Sequence, residues 1–250
     1  MRNKLSLLAL SLVLGAGMCL AGPPIPDTQA TEGIQSRLDK AHVFKYGDVQ
    51  VTYDKGVATL TGTVDNLGSK LDAEKAARKA PGVTRVVDNI QVRADDCTEQ
   101  QMLEQARHEV VMYYAYGIFD YVTLEAHDST LIVNGQVTQP FKKKDIANIL
   151  ERVKGVATLQ NNLEVLPNSF FDDRLRMQLA RAIYRNPVFM AYTNLALPPI
   201  HIIVNNGHVT LEGVVNSTMD RTEAGMVALR TGLSFSVVNN LQVVKSAVKS

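Results

Sequence analysis

The chain has 250 residues, with 26 Lys and Arg against 25 Asp and Glu, 46% hydrophobic residues and no Trp. This is the composition of a soluble globular protein with room for one large domain or two to three small ones. So even a charge balance excludes bulk nucleic-acid binding, which needs a concentrated basic surface.

The first 21 residues read as an export signal. Arg2 and Lys4 precede the apolar run Leu5 to Leu14, which is too short to span a bilayer, and the small residues around "CLAGPP" follow. Cleavage is expected after Ala21, with a linker over 22–33 and a mature chain in the periplasm. Removing Arg2 and Lys4 leaves 24 basic residues against 25 acidic ones. Cys19 stands where a lipoprotein signal places its acylated Cys, but the bulky Met18 before it fits that signal poorly, so the soluble form is the expected one. Cys97 is then the sole thiol, which excludes an internal disulfide and a Cys-x-x-Cys site.

From residue 47 onward one pattern occurs three times. "GVATLTGTV" (56–64) returns as "STLIVNGQV" (129–137) and "GHVTLEGVV" (207–215), so that Gly62, Gly135 and Gly213 are spaced by 73 and 78 residues. Ahead of each lies a second alternating segment, "VQVTY", "VTLEA" or "IHIIV", and between the two lie "DKG", "HDS" and "NNG". Alternation predicts strands, and these turn residues predict tight hairpins. Gly62, Gly135 and Gly213 are expected where a Cβ would strike a packed helix or where the strand bends.

Each hairpin runs into a helical pattern. Asp65, Thr138 and Asn216 are read as N-caps, and Gly82, Gly155 and Gly232 as the residues that close the helices in the left-handed conformation. A third strand follows: "VTRVVDNIQV", "VATLQNNLEV" and "LSFSVVNNLQV". A further helical segment precedes each hairpin. The fold class is therefore α+β: three tandem small α-β-β-α-β domains over 34–93, 101–166 and 172–244, each a three-stranded sheet covered by two helices. The connections at 93–101 and 166–173 are short enough that neighbouring units should touch.

The arrangement resembles the BON domain family, named for osmotically inducible and nodulation-related bacterial envelope proteins. The resemblance rests on Gly-x-Val-x-Leu-x-Gly-x-Val, a helix, and Gly-Val-x-x-Val-x-Asn-x-Leu-x-Val. The first copy matches best, the second has Ser129 in place of the first Gly, and the third is distorted over 232–240. The resemblance implies an envelope location, no catalysis and, in some members, binding of anionic phospholipid or chaperone-like help to envelope proteins. The residues themselves agree on chemistry: no phosphate-cradling Gly loop, Gly-x-Ser-x-Gly or His-Glu-x-x-His is present. No metal or cofactor is expected. His201 and His208 flank the third turn and read as outward-facing strand residues, too few for a metal site. Asp172 and Asp173 read as charges favouring a helix start.

Three stretches compete as binding surfaces. Lys142, Lys143 and Lys144 open a helix whose dipole they oppose, so contact with anionic headgroups would explain them. The aromatic stretch 110–122 holds Tyr113, Tyr114, Tyr116, Phe119 and Tyr121, much of which must pack its own domain. The connection 186–200 carries Val188, Phe189, Met190, Tyr192, Leu195 and Leu197, more apolar residues than a loop needs. The lipid-contacting set is expected to be Lys142, Lys143, Lys144, Phe189, Met190, Tyr192 and Leu195. The function read from this is a peripheral, non-enzymatic envelope protein that binds anionic phospholipid in envelope maintenance or stress. The alternative is a periplasmic chaperone for envelope proteins.

Overall fold

The computed structural model describes residues 26–93 and 97–244. The export signal, Cys19 and residues 22–25 of the expected linker lie outside the described residues. Within them the chain forms three successive α+β units, each with its own apolar core.

Domain 1 runs α1 (Asp27–Lys40), a 3-10 turn (Val43–Lys45), β1 (Gly47–Asp54), β2 (Val57–Val64), α2 (Leu67–Arg78) and β3 (Arg85–Val92). Domain 2 runs α3 (Glu99–Met112), β4 (Tyr121–His127), β5 (Thr130–Val137), α4 (Pro140–Leu150), β6 (Thr158–Asn161) and β7 (Glu164–Val165). Domain 3 runs α5 (Phe170–Tyr184), a 3-10 turn (Pro187–Phe189), α6 (Met190–Thr193), β8 (Ile200–Asn205), β9 (His208–Val215), α7 (Thr218–Arg230), β10 (Ser236–Asn239) and β11 (Gln242–Val243). The segment expected to be linker up to residue 33 is helical from Asp27, because Ala30, Ile34 and Leu38 recur at helical spacing and are buried in the domain 1 core.

In every sheet the second strand is central. It pairs antiparallel with the first, and parallel with the third after the helical crossover. In domains 2 and 3 the third strand comes in two pieces, β6 with β7 and β10 with β11. The break falls at Asn161 and Asn239, whose side chains accept from the N–H two residues on (Leu163 and Leu241, both 3.2 Å). The hairpins are two-residue turns with positive φ at both positions: Lys55 and Gly56, Asp128 and Ser129, Asn206 and Gly207.

Gly62, Gly135 and Gly213 have φ of +120°, +126° and +117°, and a Cβ there would run into the carbonyl oxygen of Asp48, Tyr121 or Pro199. The obstacle is thus the backbone of the neighbouring strand, not a packed helix. Gly82, Gly155 and Gly232 also have positive φ. Only Gly232 directly follows a helix cap. Gly82 and Gly155 lie farther along the turn into the third strand, beyond the caps Lys79 and Glu151.

The N-caps fall one residue later than the repeat suggests. Asn66 and Ser217 accept from Ser69 N–H (2.9 Å) and Asp220 N–H (3.1 Å), while Gln139 gives no side-chain cap and Pro140 starts α4. The residues expected as caps have other partners. Asp65 pairs with Arg93 (2.6 Å), and Thr138 donates its hydroxyl to Asp120 (2.9 Å).

The domains interlock. At the first junction the N-terminus of α2 meets the C-terminus of α4. Leu67 N–H donates to Val156 O (2.9 Å), Gly68 N–H to Glu151 O (2.7 Å) and Gly155 N–H to Asp65 O (2.9 Å). Unsatisfied donors of one helix end meet acceptors of another, with the dipoles head to tail. Leu67 packs against the domain 2 core. At the second junction Ile202 N–H donates to Ile118 O (2.7 Å), and Phe119 packs against the domain 3 core.

Candidate binding surfaces

The basic run divides. Lys142 folds inward: its ammonium donates to Asp120 Oδ2 (2.7 Å) and Thr138 Oγ1 (2.9 Å), and its side chain is only 12% exposed. Asp120 is fully buried and accepts in addition from Thr138 N–H (2.8 Å) and Gly117 N–H (3.1 Å). The pair therefore clamps the connection 113–120 to the start of α4, which corrects the view that local stability leaves Lys142 unexplained. Lys143 is half-buried and Lys144 is exposed.

The connection 186–200 folds back on its own domain. Phe189 and Tyr192 are buried in the domain 3 core, and the Tyr192 hydroxyl donates to Asp220 (2.5 Å) while accepting from Asn216 N–H (2.8 Å). Neither can meet a headgroup. Met190 (69%) and Leu195 (51%) do face solvent. The expected lipid-contacting set is thus not brought together: three of its seven members are structural.

The aromatic stretch divides in the other direction. Tyr113 is buried and donates to Asp145 Oδ2 (2.7 Å), tying the end of α3 to the first turns of α4. Tyr116 accepts from Val122 N–H (3.2 Å), and burial pushes its phenol well above the usual range. Around that tie, Met112 is 67% exposed, Tyr114 88% and Phe141 48%, with Lys144 one turn along α4 from Phe141. Sequence reasoning missed Phe141 altogether. Its one signal was its place beside the Lys run in the first turn of a helix.

His201 is not outward-facing. It is buried at the second junction, with Nδ1 2.6 Å from Asp120 O and its ring beside those of Tyr116 and Tyr121. His208 is exposed and pairs with Ser236 Oγ (2.8 Å). Each lies opposite a different residue of the hairpin, Glu212 and Asn205, so they do not converge. Asp172 starts α5 as expected, but it is fully buried and accepts from Asn206 N–H and Gly207 N–H (both 2.8 Å), capping the β8–β9 turn. Among the described residues, one group could approach a metal ion: Glu99, His127 and Asp128, all exposed. Glu99 already serves the hairpin by accepting from Asp128 N–H (3.1 Å).

The sequence profile of the BON domain matches residues 26–94, 121–167 and 172–245. The chain belongs to the BON domain family. Members are typically periplasmic or envelope proteins and generally non-catalytic. The second BON match begins only at Tyr121, so α3 and the connection 113–120 stand outside the matched segments. A search of curated proteins found no match. Two solved structures of CdsD, a structural protein of the type III secretion system of Chlamydia trachomatis, align over 86% of this BON protein and 96% and 93% of their own length. Both do so at 14% identity and a TM-score of 0.26. No helix among the described residues is long and apolar enough to cross a membrane.

Proposed function

We propose that this is a non-enzymatic periplasmic protein that attaches peripherally to anionic phospholipid through the end of domain 2. The observation that carries the reading is the exposure of Met112 and Tyr114, which flank Tyr113, and of Phe141 and Lys144, on the first turns of the helix that Tyr113 binds through Asp145. An exposed Tyr favours the headgroup level, where its ring is half in an apolar phase and its hydroxyl stays wet. Fully burying a Met or Phe side chain is worth about 1.5–3 kcal/mol, and a Lys near an anionic surface about 1 kcal/mol. Three apolar groups and one or two Lys support weak, reversible attachment after the cost of association.

Co-sedimentation of the purified mature chain with phosphatidylglycerol vesicles tests this. Tyr114→Ser with Phe141→Ser should lose most of the bound fraction while keeping the thermal transition. Indifference of the wild type to anionic vesicles at low salt would overturn the reading. Fractionation should recover the chain from the periplasm with Gly22 at its N-terminus.

A second reading, a chaperone for envelope proteins, is favoured by a groove on domain 3 lined by Val188, Met219 and Met226. Met219 is 74% exposed, and flexible thioethers suit binding of varied apolar segments. Suppression of aggregation of an unfolded client that persists at high salt, where headgroup attraction is screened, would favour it.

A further inference from the structure

A groove of about 470 Å³, within the size range of ligand sites, lies at the second junction. One wall is α3, through Arg107, Val110 and Val111, and the other is domain 3, through Leu197, Pro199 and Val214. Its floor is four consecutive residues of β4, Tyr121 to Leu124. Successive strand residues point to opposite faces, so a groove touched by all four runs along the edge of the strand.

That edge is the outer one, since among the described residues β4 pairs with β5 alone. The pairing His127–Thr130 closes a two-residue hairpin, so the N–H and C=O groups of odd-numbered β4 residues face β5 and those of even-numbered ones face outward. The Val122 N–H does point outward, where it is taken by the Tyr116 hydroxyl. Leu124 and Ala126 follow with the same orientation. An outer edge of this kind is a template for an added strand.

The chain already sets backbone against one sheet edge through a single hydrogen bond. On the outer side of β8, Ile118 of the preceding domain supplies the carbonyl for Ile202 N–H. At the mouth of the groove stands Arg107, exposed and, among the described residues, without an anionic partner. Phe119, which follows α3, packs against domain 3 rather than filling this space.

We propose that the groove binds one extended peptide strand of a partner protein. The strand pairs with the outer edge of β4, places an apolar side chain between Val111 and Leu197, and sets an acidic residue at Arg107. The proposal is independent of attachment to phospholipid, which uses other residues and a different assay.

The probe is an acetylated, amidated eight-residue peptide of alternating Val and Thr with one central Glu, titrated into the full mature chain. Binding should shift the Leu124 and Ala126 amide resonances and slow their hydrogen exchange. Methylating alternate peptide nitrogens on the pairing side should weaken binding roughly tenfold, by removing two or so hydrogen bonds. Val111→Glu, at an exposed position that leaves the fold intact, should weaken it at least comparably. Arg107→Gln should abolish the preference for the Glu peptide over its Lys counterpart. Equal binding of the methylated peptide, or no binding of any peptide, would overturn the proposal. So would decanoate shifting the same amides without slowing their exchange, which would make the groove a site for a lipid chain.

Discussion

His201 Nδ1 sits 2.6 Å from the carbonyl oxygen of Asp120, so the imidazole of one domain is hydrogen-bonded to the backbone of the preceding one. The carboxylate of the same Asp120 is held by Lys142, and the adjacent Phe119 packs against the domain 3 core.

The junction should weaken in acid. Burial lowers the His201 pKa, with the Asp120 carbonyl and charge opposing it only in part. The unfolded chain, with an ordinary His near 6.5, then binds the proton more readily than the folded one. The stabilisation is present above the unfolded pKa and is lost as pH falls below about 6.5 toward the folded value. The rings beside it, Tyr116 and Tyr121, stay protonated throughout that window, since burial raises both phenols. Thermal melting between pH 7.5 and 5.5 should show a falling midpoint, and His201→Gln should flatten most of that fall. An identical pH slope in the variant would count against it.

Lys142 and Lys144, two residues apart, should behave oppositely. Removing one partner of the buried Lys142–Asp120 pair leaves an uncompensated charge, at a cost of roughly 3–5 kcal/mol. Lys142→Gln should therefore lower stability in urea by that order. Lys144→Gln should change stability by less than about 0.5 kcal/mol and act only on vesicle binding. Equal stability of the two variants would remove the structural role given to Lys142.

Replacing Gly135 by Ala should cost roughly 2–4 kcal/mol, the combination of a backbone conformation that L side chains avoid and displacement of the Tyr121 carbonyl. The loss should show as faster hydrogen exchange in domain 2 first. Gly62→Ala and Gly213→Ala should do the same in domains 1 and 3.

The first junction can be opened by one side chain. A Cβ on Gly68 would lie 2.9 Å from Arg152 Cγ and 3.3 Å from Glu151 O, while α2 itself tolerates the change. Gly68→Leu should uncouple domain 1, giving a larger radius of gyration in solution scattering with unchanged helix content. Arg152→Ala removes only the partly exposed ion pair with Asp72 (2.9 Å) and should cost less than about 1 kcal/mol.

The repeat was fully legible in the order of residues. Alternation, turn residues and helical spacing are local properties, and three copies in register specify the unit and its sheet, whereas the positive φ of Gly62, Gly135 and Gly213 against a neighbouring carbonyl came only from the fold. The caps were misplaced by one residue because Asp, Thr and Asn are all good N-caps. Only the fold shows that Asp65 and Thr138 are occupied by Arg93 and Asp120.

The surface was not legible in the same way. Lys142 and Lys144 are the same residue type in the same run, and Tyr113 and Tyr114 are neighbours, yet in each pair one is inward and one outward. The direction of a side chain at the end of a helix depends on what the adjoining loop and domain bring against it. For Lys142 that is Asp120, 22 residues away, and for His201 it is the same Asp120, 81 residues away. Local pattern thus determined three domains and their strands, while contacts distant in sequence decided which charges and rings were left to face solvent.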